Sequence, residues 1–136
     1  ALLEPTRIYV AAARALWAAE MPLHGMVHIS GGGLLNLLRL AAPVAYVLDQ
    51  LPEPPAIFGT VAQAGDVPAA EMYTTFNMGI GLCVVVPPDA VDSTLAAVTR
   101  AGEEALVIGR VVDGPDRRVE LPSVELVGRG DTFSLR

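Results

Sequence analysis

The 136-residue sequence has no lysine, one cysteine (Cys83) and only 5% aromatic residues. Each shortage removes a class of explanation. Without lysine there is no phosphate-binding loop of the Walker type, whose lysine reaches the β- and γ-phosphates. A lone cysteine cannot close an internal disulfide, which fits a reducing, cytoplasmic setting. Positive charge is scarce, because nine arginines face 15 aspartates and glutamates for a net charge of −6. A protein that tracks a nucleic-acid backbone needs the reverse balance. Long apolar runs are missing too. Asn36, Arg39 and Pro43 interrupt the stretch from Leu34 to Leu48, and Pro87, Pro88 and Asp89 close the run from Ile80 to Val86. Neither reaches the roughly 18–20 apolar residues of a membrane span. Glu4, Arg7, Arg14 and Glu20 break up the N-terminal stretch, which therefore does not read as a signal peptide. No fixed-period repeat, low-complexity tract or block of like charges is visible.

What remains is strongly apolar, 52% hydrophobic against 18% charged. A chain of this size buries roughly 68–70% of the surface its unfolded form exposes, enough for a core without disulfides or structural metal. The periodicity predicts a helix over Ala11–Ala19, where Ala12, Leu16 and Ala19 recur at helical spacing. Gly25–Ser30 reads as a short strand running into Gly31, Gly32 and Gly33, after which Leu34, Leu37, Leu38 and Ala41 restore a helical stripe. Val44–Leu48 reads as a buried strand, and Pro52, Pro54 and Pro55 exclude helix after it. Ile57, Phe58, Val61 and Ala62 form the next helical face, closed by Gly65.

Glu71–Asn77 reads equally as a loop or one helical turn. The unbroken apolar run Ile80–Val86 predicts a central strand covered on both faces. Asp89 is expected to cap a helix carrying Val91, Leu95 and Val98 and ending near Gly102. Ala105–Val112 reads as a strand and Asp113-Gly114-Pro115-Asp116 as a turn. Alternation in Val119-Glu120-Leu121 and Val124-Glu125-Leu126 predicts an exposed edge. About five strands and four helices, closing on a hairpin, imply a mixed α/β (α+β) sandwich.

Chemistry concentrates where glycines cluster. His28-Ile29-Ser30-Gly31-Gly32-Gly33 lies between a predicted strand and a predicted helix. Consecutive glycine amides can turn toward one point, and a helix N-terminus adds partial positive charge, so phosphate is the natural guest. A tight packing turn explains the same glycines. His24 and His28 do not read as metal ligands: in a strand they stand some 13 Å apart at roughly 3.3 Å per residue. His28 lines a ligand site or is an ordinary hydrogen-bonded sheet histidine. In Phe76-Asn77-Met78-Gly79-Ile80-Gly81, Asn77 either offers an amide to a ligand or tolerates a bend before the strand. Arg7 and Thr6 suit a carboxylate or phosphate, or else Arg7 forms an ordinary surface ion pair with Glu4. Cys83 reads as a small buried hydrophobe rather than a nucleophile.

Three segments together resemble a known family. Leu2-Leu3-Glu4-Pro5-Thr6-Arg7-Ile8-Tyr9, the His28–Gly33 tract, and Glu71-Met72 leading into Thr75-Phe76-Asn77-Met78-Gly79-Ile80-Gly81 look like the C-terminal domain of the aminoimidazole ribonucleotide (AIR) synthetases. These are the phosphoribosylformylglycinamidine cyclo-ligases of purine biosynthesis. Phe58, Gly65 and Ile108-Gly109 also fall at the family's spacing. Selenophosphate synthetase, the hydrogenase maturation protein, thiamine-monophosphate kinase and formylglycinamidine synthetase match the glycine tract less fully. One departure stands out: the family follows its triple glycine with two apolar residues and Glu-Asn, whereas Leu34-Leu35 here run directly into Asn36.

The resemblance implies an AIR synthetase C-terminal-domain-like sandwich, a mixed β-sheet flanked by helices and partly ferredoxin-like. Residues 1–136, starting on Ala1 rather than methionine, are then a single C-terminal domain of a two-domain enzyme. The N-terminal ATP-binding and dimerisation domain is expected to lie outside this chain and to cover part of its apolar surface. The full-length enzyme is expected to be a cytoplasmic homodimer with no nucleic-acid or membrane partner, and the isolated piece to be inactive. The implied reaction uses ATP and Mg²⁺, held mainly by the N-terminal domain. ATP activates the formyl oxygen of formylglycinamidine ribonucleotide as a phosphorylated imidate, an amidine nitrogen attacks that carbon, phosphate leaves and the imidazole ring closes. Ser30, Gly31, Gly32 and Gly33 are expected to hold a phosphate, with Thr6, Arg7, His28 and Asn77 lining a groove and Glu71 orienting neighbours. His28 is the candidate catalytic residue, and no metal ligand is expected in this chain. The alternatives are a domain of one of the related ATP-dependent enzymes, or a non-catalytic ligand-binding or assembly module.

Overall fold

In the computed structural model, which describes residues 3–136, the chain runs through α1 (Val10–Ala18), β1 (Gly25–His28), a 3-10 helix (Gly33–Arg39), β2 (Val44–Val47), α2 (Ala56–Gly65) and α3 (Ala69–Thr75). It continues with β3 (Leu82–Val85), a 3-10 turn (Pro88–Ala90), α4 (Val91–Arg100), β4 (Arg110–Asp113), β5 (Arg118–Leu121), a further 3-10 turn (Pro122–Val124), β6 (Leu126–Arg129) and β7 (Thr132–Leu135). Leu2, the first residue of the N-terminal motif, lies outside the described residues. Two compact units result. The first is the segment ending at Met26 with Val84–Val107, and the second is Val27–Cys83 with Ile108–Arg136.

In the first unit, the helical spacing of Ala12 and Leu16 on α1 puts both against Ala97 and Val98 of α4. Alanine at two of these four positions lets the helix backbones approach closely, while Leu16, fully buried, is the largest side chain of the cluster. Thr94 is buried in the same helix and donates its hydroxyl to the Ala90 carbonyl at 2.7 Å, so no polar atom is stranded. Asp89 does not cap α4. It lies inside the preceding 3-10 turn, and the N-cap is Ala90 with no side-chain bond.

In the second unit, five strands pair in the order β4-β2-β5-β6-β7. Only β2 and β5 run parallel, so the sheet is mixed. The register sets Tyr46, Val119, Gly128 and Phe133 side by side on one face. The 3-10 helix packs against β5 and α3 against β7. Leu35 presses so closely on Gly128 that a Cβ there would stand 2.4 Å from its Cδ2. Tyr73 meets Phe133 edge to face at 6.4 Å. The other face carries Glu120, whose two carboxylate oxygens take Arg118 at 2.7 Å and Arg136 at 3.2 Å. Arg118 and Arg129 also pair with Asp116. Burial tends to raise the Asp116 carboxyl, but hydrogen bonds from Arg129 and Arg118 outweigh it and hold the group below the ordinary aspartate value.

Three further expectations need correction. β3 is not central: among the described residues it pairs with β1 alone in a two-stranded sheet, and only Cys83 in it is buried. A continuous apolar run reports affinity for an interior, not the number of strand neighbours. The segment around Glu120 is not an exposed edge, since β5 sits in the middle of the larger sheet. Glu120 mimics the polar half of an exposed strand because its charge is neutralised by two arginines rather than by water. The strand expected over Ala105–Val112 begins only at Arg110. Of the two readings of Glu71–Asn77, the helical one holds as far as Thr75: these residues belong to α3, which starts after Pro68, leaves Phe76 and Asn77 beyond its end, and is tied to the sheet by Thr74, whose Oγ1 accepts the Phe133 amide at 3.0 Å.

Candidate functional site

The Ser30–Gly33 loop leaves β1 and enters the 3-10 helix through two left-handed residues, Gly32 (φ 93°) and Gly33 (φ 54°). Gly33 is glycine for a second reason: a Cβ would lie 2.5 Å from the carbonyl oxygens of both Tyr73 and Phe76. The loop is thus pressed onto the last turn of α3 and onto Phe76, which follows that helix and precedes Asn77. Two of its four amides are used internally. Ser30 N–H donates to Asn36 Oδ1 at 2.9 Å, and Gly33 N–H to the Ser30 carbonyl at 3.0 Å. Gly31 and Gly32 keep the remaining amides. Gly31 is exposed, with open space where a Cβ would be. Because the element that follows is a seven-residue 3-10 helix, its dipole adds less than the α-helix expected from the Leu34, Leu37, Leu38 stripe. The loop's anion-binding capacity is therefore a matter of two backbone donors.

Asn36, a residue that periodicity alone does not single out, organises this loop. It is 3% exposed, within an otherwise leucine-rich helix. Its Nδ2 donates to the Gly31 carbonyl at 3.1 Å while Oδ1 receives Ser30. The signal was one amide in the middle of Leu34-Leu35-Asn36-Leu37-Leu38, where a buried polar side chain must have dedicated partners.

The second motif stands beside the first. Asn77 Oδ1 accepts the Gly79 amide at 3.1 Å, and its carbonyl accepts Ile80 N–H at 3.0 Å. The left-handed residues of this turn are Met78 (φ 50°) and Gly79 (φ 94°), not Asn77. Leu34, next to the glycine loop, and Met78 and Ile80, next to Asn77, line one shallow apolar hollow with Leu51, Pro52, Pro54 and Tyr73. Phe76 stacks at a tilt on Phe58 of α2, centroids 5.9 Å apart. Glu71 is exposed in the first turn of α3.

His28 is exposed at the end of β1. Thr6 and Arg7, both exposed, belong to the other unit. Arg7 pairs with Glu103 at 3.0 Å rather than with Glu4, a partner 96 positions away that no local reading supplies. Cys83 is buried, and burial pushes its thiol up to about 12, so it stays protonated and unreactive at neutral pH. Among the described residues no three His, Cys, Asp or Glu side chains gather as a cation site, and no helix is long and apolar enough to cross a membrane.

Comparison with known proteins gives a consistent picture. Residues 1–122 match the family model for AIR synthase related protein, C-terminal domain. A phosphoribosylformylglycinamidine cyclo-ligase of Methanothermobacter thermautotrophicus is 49% identical over 82% of this chain and 32% of its own length. The protein of the same name from Methanocaldococcus jannaschii is 40% identical over 94% of this chain and 36% of its own. That of Cyanothece sp. is 46% identical over 90% and 34%. The chain spans about a third of the length of these relatives.

Proposed function

This chain belongs to the AIR synthase related protein, C-terminal domain family, and on that premise we propose that it serves as the C-terminal domain of a phosphoribosylformylglycinamidine cyclo-ligase. In this reading residues 1–136 are that one domain. An N-terminal domain supplies most of the ATP site and the dimer contact, and the whole works in the cytoplasm. The name of a relative 49% identical supports the activity. The observation that supports the site is the loop itself, in which the Gly31 and Gly32 amides meet no acceptor among the described residues and which abuts Phe76, next to Asn77.

In this reading ATP phosphorylates the formyl oxygen of formylglycinamidine ribonucleotide, turning a poor leaving group into a good one. The amidine nitrogen then attacks the activated carbon, phosphate departs and the ring closes. This chain's part is to bind and orient. The Gly31 and Gly32 amides donate to a phosphate oxygen, with the Ser30 hydroxyl at the same rim. Asn77 and His28 present polar groups to the ligand's remaining edges, and Thr6 and Arg7, in their own unit, offer a hydroxyl and a guanidinium of the kind an anion takes. In this reading the Mg²⁺ that ATP chemistry implies is held mainly with the nucleotide by the N-terminal domain, and no step is derived through it.

The test is turnover. The full-length protein that carries this chain should convert formylglycinamidine ribonucleotide to the aminoimidazole product with one ATP hydrolysed per ring closed. The chain alone should show none. Ribonucleotide binding without ATP-dependent ring closure by the full-length protein would reject the ligase in favour of a binding module.

A further inference from the structure

We propose that Asn36 is the positioning residue of the phosphate loop, aiming the Gly32 amide at the ligand and withdrawing the Ser30 amide from it. The proposal rests on the reading of this loop as a phosphate site. A trans peptide is planar, with C=O and N–H pointing in opposite directions, and the described chain has no cis peptide. The Gly31 carbonyl and the Gly32 N–H belong to one such unit. By donating Nδ2 to that carbonyl at 3.1 Å, Asn36 turns the Gly32 N–H away from itself and out of the loop. By accepting the Ser30 N–H at 2.9 Å, it removes that donor from competition. The Ser30 hydroxyl also lies 3.5 Å from Oδ1. Gly31 is aimed in the same manner by a different bond, because its peptide partner, the Ser30 carbonyl, is held by Gly33 N–H.

The loop backbone lies directly on the carboxamide: a Cβ on Gly32 would stand 3.0 Å from Asn36 Nδ2. A leucine at this position would continue the apolar run without desolvating an amide. The carboxamide therefore serves loop geometry rather than core area. Aspartate keeps one acceptor for Ser30 but sets a second, negative oxygen against the Gly31 carbonyl, which drives that peptide to turn over.

The experiment is steady-state kinetics of the full-length protein with Asn36→Asp, with Asn36→Ser as a second variant should the first not fold. Val119→Ala, in the sheet, is the control for a matched loss of Tm. The expected result for either Asn36 variant is a rise of at least about tenfold in KM for one phosphate-bearing substrate, the loss of one charge-assisted hydrogen bond. At the same time kcat should change by less than about threefold, because the loop binds rather than reacts. Whether the affected KM is that for ATP or that for formylglycinamidine ribonucleotide identifies which phosphate the loop holds. Unchanged KM values for both substrates, or changes no larger than those of Val119→Ala, overturn the proposal. If the wild-type Gly31 and Gly32 amides respond to a substrate and the variants keep wild-type KM, Asn36 alone is wrong. If those amides respond to neither substrate, the phosphate-loop reading fails and the proposal with it.

Discussion

Two loops of the second unit each depend on an asparagine, and they use it in opposite ways. In the 77–79 turn the side chain acts on its own neighbourhood, Asn77 taking the amide two residues on. In the 30–33 loop it comes from six residues away, out of a buried helix, and holds the loop at two points. A local side-chain turn survives small changes in its surroundings. A loop fixed by a buried carboxamide is as rigid as the core that holds it, and rigidity is what a site needs to present two backbone donors to one oxygen.

The comparison breaks most severely at Gly33, where the glycine loop meets α3. Gly33→Ala forces a methyl to 2.5 Å from two backbone carbonyls at a φ of 54°. Left-handed strain and overpacking together predict a loss of about 2–5 kcal/mol, read from urea unfolding midpoints of the full-length protein. Next comes Asn36→Leu, which strands the Ser30 amide and the Gly31 carbonyl; a destabilisation of about 1–3 kcal/mol is expected by the same measurement. Asn77→Ala removes one local bond and should cost about 0.5–1 kcal/mol, with phosphate-substrate KM changed less than in the Asn36 variants. A larger loss at Asn77 than at Asn36 would reverse the contrast.

The smallest effect at neutral pH belongs to a group outside both loops. The folded-state thiol of Cys83 is raised from 9.0 to about 12 by burial. Its contribution to stability is complete below 9.0 and is lost as pH rises toward about 12. Unfolding free energy should therefore be flat with respect to this group near neutrality and fall across that alkaline window. Replacement of Cys83 by alanine should lower neutral stability and flatten the alkaline decline.

Much of the fold was legible wherever packing follows periodicity. The α1 stripe of Ala12 and Leu16 and the short β2 run follow from local apolar spacing, and α2 ends at Gly65 as expected, although Asp66 rather than the glycine takes the left-handed cap. Readings failed where a distant partner decides the outcome. Glu120 looked solvent-facing because Arg118 and Arg136 cannot be seen from its own alternation, and Arg7 was paired with the nearest acid instead of Glu103. The site followed the same rule. The glycines announce a tight loop, and the Asn77 turn is local. That the Ser30 amide and the Gly31 carbonyl are taken depends on Asn36, whose two bonds appear only once the 3-10 helix brings its side chain back to the loop.

The most direct test of the account is amide spectroscopy of the full-length protein, isotope-labelled at glycine and serine and titrated with ATP and with formylglycinamidine ribonucleotide. The Gly31 and Gly32 amide protons should move downfield and saturate with one of these ligands, while the amides of Ser30 and Gly33, already committed to Asn36 and to the loop's own turn, stay near their starting positions. Saturating ligand that leaves Gly31 and Gly32 unmoved, or that shifts Ser30 and Gly33 instead, would contradict it.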